Sequence, residues 1–179
     1  MTGPRAVLRQ PEERDRGELT ERLLASAALH DPWMEPAEPG PWIDRLLARN
    51  ASQTDRSFLV CDADDGAIAG VMNLSQIVMG PFRSAYLGYY AFEPFAGLGY
   101  MRAAMPLVLR TAFDDLGLHR VQANIQPGNV ASIALVRGAG FHREGFSPRY
   151  LFIRGAWRDH EQWVRLADDD PAPPAAGTG

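Results

Sequence analysis

Apolar and polar positions along this chain change period several times, and each change marks an element. Residues 7–9 alternate as a short strand, whereas 18–29 set Leu19, Leu23 and Ala27 at helical spacing behind acidic residues, the order expected at a helix start. Residues 30–41 hold Pro32, Pro36, Pro39 and Pro41, which forbid a continuous helix or ladder there, and 42–49 follow as a brief helix. Residues 58–61 and 67–76 read as antiparallel strands around Asp64-Asp65-Gly66, a strong hairpin signal. Gly80-Pro81 then turns the chain into a third strand over 84–92, completing a meander.

In the second half, 100–116 carry Ala104, Leu107, Val108, Ala112 and Leu116 on one face, an amphipathic helix that Gly117 ends. Pro106 inside it leaves the Arg102 carbonyl without its donor and is expected to bend the helix. A strand over 120–125, a helix over 129–137 and a hairpin of 146–153 with 160–166 complete the pattern. The tail, 168–179, is acidic and rich in proline and small residues and is expected to be disordered, leaving 1–167 as a single domain. The predicted fold is α/β (α+β), a mixed, mostly antiparallel sheet of about seven strands flanked by about four helices on both faces. The strands ending at Phe92 and starting at Arg120 are joined by a crossover helix and should be parallel neighbours, with a ligand at their C-terminal ends.

Composition narrows the function. A net charge of −4 argues against a nucleic-acid or anionic-membrane surface. No apolar run approaches the length that spans a bilayer, and no signal-peptide core is visible near the N-terminus, so the expected compartment is the cytoplasm. The single cysteine, Cys61, reads as a small apolar residue of a buried strand, and the four histidines have no metal-ligand spacing, so no metal is expected. All 18 basic residues are arginine. A P-loop and a Schiff-base lysine are therefore both excluded, and Arg102 stands where a dinucleotide-binding turn needs glycine.

What remains is the turn Gly97-Leu98-Gly99-Tyr100-Met101 between a strand and a helix. Two glycines let backbone approach a ligand closely, and the helix start aims free N–H groups and a positive dipole end at it, an anion cradle suited to phosphate. A second strand-to-helix junction follows at Asn129-Val130-Ala131-Ser132, where Asn129 suits a helix N-cap, and then Gly140-Phe141.

With the ending Glu144-Gly145, Tyr150-Leu151, Gly155, Trp157 and Asp159-His160, these segments resemble the GNAT N-acetyltransferases, on the branch of the RimJ and RimL ribosomal-protein acetyltransferases. The turn departs from the usual family pattern at Ala96 and Met101. The resemblance implies direct acetyl transfer from acetyl-CoA to a primary amine. It places the cofactor on Ala91, Phe92, Glu93, Gly97, Leu98, Gly99, Tyr100, Met101, Asn124, Asn129 and Ser132, with backbone N–H groups of 98–101 on the pyrophosphate and those near 90–92 on the oxyanion. Ser132 is the implied acid for the departing thiolate.

No carboxylate occupies the stretch 85–91 where many relatives keep a base. Tyr86 is a candidate proton relay, with Glu93, Glu144 and His160 as weaker base candidates. Asp159 and His160 are not read as a dyad, because adjacent strand residues point to opposite faces. Trp33, Met34, Trp42 and Tyr89 are the candidate acceptor contacts, and Asp31, Glu35 and Glu38 can draw in a cation. The acceptor reads as a protein N-terminal α-amine such as that of a ribosomal protein, with a polyamine or aminoglycoside-like amine as the alternative. A non-catalytic acetyl-CoA-binding module is the third reading, and monomer and homodimer both stay open.

Overall fold

The computed structural model describes residues 3–31 and 33–169. One seven-stranded sheet in the order β1-β2-β3-β4-β5-β7-β6 organises them. Its strands are β1 (Ala6–Arg9), β2 (Arg56–Asp62), β3 (Ile68–Val78), β4 (Ser84–Ala91), β5 (Arg120–Ile125), β6 (His142–Ile153) and β7 (Ala156–Leu166). Neighbours are antiparallel except β4 and β5, which the crossover helix makes parallel as expected.

Among the described residues five α-helices flank the sheet: α1 (Arg16–Ala25), α2 (Ala27–His30), α3 (Pro39–Arg49), α4 (Tyr100–Arg110) and α5 (Val130–Gly138). One more helix appears than expected because the pattern over 18–29 breaks at Ser26. That side chain is 0% exposed and bridges two elements: its hydroxyl donates to the Arg22 carbonyl at 2.6 Å and accepts from Glu93 N–H at 2.9 Å.

Helix α3 starts earlier than expected, at Pro39. Its first N–H groups would have no intrahelical acceptor in any case, so Pro39 and Pro41 cost nothing in the first turn. Helix α4 runs through Pro106, and a π-turn over Thr111–Asp115 follows, closed by Leu116 N–H on the Thr111 carbonyl at 3.0 Å. At the other end, Ala167–Asp169 form a short 3-10 turn in which Leu166 N–H donates to the Asp169 carboxylate at 2.7 Å. Order therefore extends two residues into the expected tail, and 170–179 lie outside the described residues.

The two faces of the sheet build separate cores. On one, Leu74, Ala85, Leu87, Val121 and Ala123 meet Ala104, Met105 and Val108 of α4 and Val136 of α5. On the other, Leu59, Cys61, Val71 and Phe92 meet Leu19 and Leu23 of α1 and Trp42, Ile43 and Leu46 of α3. Alternation along the strands sends neighbouring side chains to different faces, and this separation positions the site.

Candidate active site

Strands β4 and β5 pair only over Ser84–Tyr86 with Arg120–Gln122, then diverge. A cavity of about 600 Å³ opens in the gap. Its walls come from the C-terminal half of β4, the glycine turn, β5, the start of α5, the 29–34 segment and the β6–β7 hairpin.

The gap exposes backbone hydrogen-bonding groups. Phe92 N–H donates to the Ala69 carbonyl at 2.9 Å, so the alternating positions Tyr89 and Ala91 turn their N–H and C=O away from β3 and into the gap. The Ala91 carbonyl accepts from His30 Nε2 at 2.9 Å, which fixes that imidazole's proton on Nε2, while burial holds its pKa below the usual value. The cofactor contacts expected at Phe92 and Glu93 need correcting. Phe92 is fully buried with its N–H spent on Ala69, and the Glu93 N–H is spent on Ser26. Tyr89 and Ala91 supply the open donors instead.

At the glycine turn, Gly97 and Gly99 have φ of 77° and 97°, conformations that side-chain-bearing residues rarely adopt. Leu98 N–H closes the turn on the Phe95 carbonyl at 3.1 Å, so its expected place in the phosphate cradle falls away. The first intrahelical bond is Ala103 N–H to the Gly99 carbonyl at 2.9 Å. The N–H groups left without an intrahelical acceptor are therefore those of Gly99, Tyr100, Met101 and Arg102. Arg102, exposed and on the cavity wall, adds a cation that the sequence reading passed over. The Tyr100 side chain points elsewhere: its hydroxyl donates to Asp62, a bond that pushes the phenol up to about 12 and lowers the carboxyl.

The start of α5 forms the facing wall. Asn129 caps the helix, its Oδ1 accepting from Ser132 N–H at 3.1 Å, which leaves its amide NH2 for a ligand. Ser132 Oγ lies 2.5 Å from the Tyr89 hydroxyl. Burial pushes the Tyr89 phenol up to about 12, with the Ser132 contact opposing, so it holds its proton at neutral pH. The sequence reading had set Tyr89 at the acceptor; the structure couples it to Ser132 on the α5 side. Asn124 also lines the cavity, its Oδ1 accepting from Gln122 Nε2 at 2.8 Å.

On the opposite side, Trp33 and Met34 line the cavity. The Trp33 carbonyl accepts from Gln126 Nε2 at 2.9 Å, and its ring lies against Gly128. Trp42 does not join them. It is 8% exposed and packs edge-on against Tyr90 and Phe92 in the α1–α3 core, because its place in the first turn of α3 faces the sheet. Asp31 and Glu35, expected to draw in a cation, are held by the β6–β7 turn: Asp31 pairs with Arg154 at 2.9 Å and Glu35 accepts from its N–H. Tyr86 lines the cavity, and burial first, then Tyr86 beside it, raises the Tyr150 phenol above its usual pKa. Of the weaker base candidates, His160 lines the cavity, whereas Glu144 is tied to Arg120 and its carboxyl is lowered by that bond. Cys61 is buried on β2 with its thiol pushed up by burial. Among the described residues no cluster of side chains is arranged to hold a metal ion, and no helix is long and apolar enough to cross a membrane.

Comparison with known proteins matches this geometry. The family model described as an acetyltransferase (GNAT) domain covers residues 5–142. A Bacillus subtilis protein named "Probable N-acetyltransferase YjcK" is 36% identical over 63% of this chain and 62% of its own length. The ribosomal protein uS5-alanine N-acetyltransferase of Escherichia coli is 34% identical over 89% of this chain and 87% of that protein. Among solved structures, Mycobacterium smegmatis RimJ in complex with CoA-disulfide superposes with a TM-score of 0.85 at 28% identity, covering 93% of this chain and 84% of that one. The chain thus belongs to the GNAT acetyltransferase family, on its RimJ-like branch, and is an N-acetyltransferase.

Proposed function

We propose that this enzyme transfers acetyl from acetyl-CoA to the α-amine at a protein N-terminus. One observation carries the choice of acceptor: among the described residues lining the cavity there is no carboxylate. A polyamine or an aminoglycoside carries several charged amines, each of which needs a partner on leaving water. The wall beside the splay offers instead Leu29, Trp33, Met34, Leu151 and Ile153, with Gln126 as a polar group. Such a lining suits a chain that brings one amine and neutral amides. The 34% identity to the uS5-alanine acetyltransferase supports the same reading.

In this reading the N–H cradle at 99–102 and Arg102 bind the pyrophosphate, the open backbone of Tyr89 and Ala91 pairs with the pantetheine, and Asn129 and Asn124 contribute side-chain amides. The thioester carbonyl lies in the splay, where an N–H from β4 stabilises the developing oxyanion, and Ser132 with Tyr89 supplies the proton to the leaving sulfur. Substrate choice is tested by acetyl-CoA-dependent CoA release with mass analysis of product. The panel comprises short peptides with free N-termini, polyamines and aminoglycosides. Acetylation at the peptide α-amine is the expected result, and turnover confined to the small polyamines or aminoglycosides would overturn the acceptor assignment.

A further inference from the structure

Across the splay from Ser132 lies a buried imidazole with no role in the steps above. His160, on β7, is 3% exposed, and its ring forms part of the cavity wall. Its Nδ1 sits 3.0 Å from the Arg158 carbonyl. A carbonyl only accepts, so Nδ1 carries the proton in the neutral ring and Nε2 is left as a lone pair. Among the described residues Nε2 has no hydrogen-bond partner.

The sheet places this lone pair opposite the proton donor. Asn124 on β5 stands across from Gln162 on β7, and residues two apart on a strand share a face. His160 and Gln162 therefore lie on the face of Asn124 and Gln122, opposite the face on which Val121 and Ala123 enter the α4–α5 core. Tyr86 on β4 shares the His160 face, since Ala85 and Leu87 point into that core. Tyr89 packs on the α4–α5 core and meets Ser132 there. A thioester held between β4 and β5 would have the Tyr89–Ser132 pair on one side and the imidazole on the other.

We propose that His160 is the general base of acetyl transfer. As the amine nitrogen bonds to the thioester carbon, one of its protons passes to His160 Nε2. Collapse of the tetrahedral intermediate breaks the C–S bond, the electron pair goes to sulfur, and the Tyr89–Ser132 pair protonates it. Solvent then takes the proton from His160 and restores the one on the pair. The titratable groups facing the ring are few. Tyr150 from β6 meets it edge-on at 5.7 Å, Tyr86 from β4 stands on the same face and interacts with Tyr150, and Asp159 precedes it on β7. Burial holds the imidazole below its usual pKa against the Arg158 bond and the Asp159 charge, so the base form prevails at neutral pH and is lost as pH falls.

This inference rests on the acetyl-transfer reading of the site but not on the choice of acceptor, so the test uses whichever amine the wild-type enzyme accepts best. His160→Asn keeps an amide N–H able to reach the Arg158 carbonyl and removes Nε2. Its kcat/KM is expected to fall about 10²- to 10⁴-fold at neutral pH with acetyl-CoA affinity unchanged. The acid limb is the sharper readout. With both the amine and His160 required unprotonated, the wild-type logarithmic plot of kcat/KM against pH reaches a slope of two at low pH. In the variant only the amine titrates, and the slope becomes one. His160→Gln, which carries no titrating group either, should give the same slope. Full activity in either folded variant, or a loss that leaves the slope unchanged, would overturn the assignment.

Discussion

The contact of Tyr89 with Ser132 joins residues 43 apart in sequence, and it changes what either can do alone. A serine hydroxyl is a weak acid, and a phenol held near 12 keeps its proton in the cell's pH range. Hydrogen-bonded, they can pass a proton to sulfur and be refilled as a unit. Ser132→Ala is expected to lower kcat about 10²-fold while acetyl-CoA still binds, and Tyr89→Phe to do much the same. The double variant distinguishes a unit from two independent contributors: kinetics no worse than the slower single variant mark one relay, and multiplied losses separate the two roles. Ser132→Ala with full turnover would remove the serine from the acid step. In sequence Asn129 was legible because a cap is local, and Ser132 because the family resemblance singled out its position. Tyr89 was not, for it sits in a run with Tyr86 and Tyr90 whose faces depend on register.

At the level of elements, the glycine turn was readable for a simple reason. Two glycines before an amphipathic helix permit left-handed backbone without steric cost, and φ of 77° and 97° are what the chain adopts. Which N–H groups stay open was less readable, since the Leu98 N–H closes on the Phe95 carbonyl. The break between α1 and α2 was hidden for a related reason: Ser26 owes its place to Glu93, 67 residues away. Gly99→Ala tests the turn. A side chain at that φ costs about 1–2 kcal/mol, and its Cβ would stand 3.4 Å from Pro4 Cδ. Denaturant unfolding should show a loss of that size. Acetyl-CoA affinity should fall about tenfold as the peptide planes facing the pyrophosphate rotate, the effect of one charged hydrogen bond. Unchanged affinity in a folded protein would move the phosphate off this turn.

Across the whole molecule, the proposed reaction has one sheet present two ligands to each other from its two faces. Fold class and the parallel β4–β5 pair followed from periodicity and the crossover rule. The splay itself did not, because it depends on where pairing stops, and nothing in the residues after Tyr86 announces that. The arrangement makes a prediction about kinetics. In the proposed reaction Trp33, braced by Gln126 and Gly128, belongs to the acceptor wall, whereas Asn129 belongs to the cofactor wall at the head of α5. Trp33→Ala should therefore raise KM for the accepted amine several-fold with KM for acetyl-CoA unchanged. Asn129→Ala should do the reverse, and loss of its cap should also cost about 1 kcal/mol of stability. If both variants raise the same KM, the two ligands do not enter from opposite faces, and the division of labour drawn from the splay fails with it.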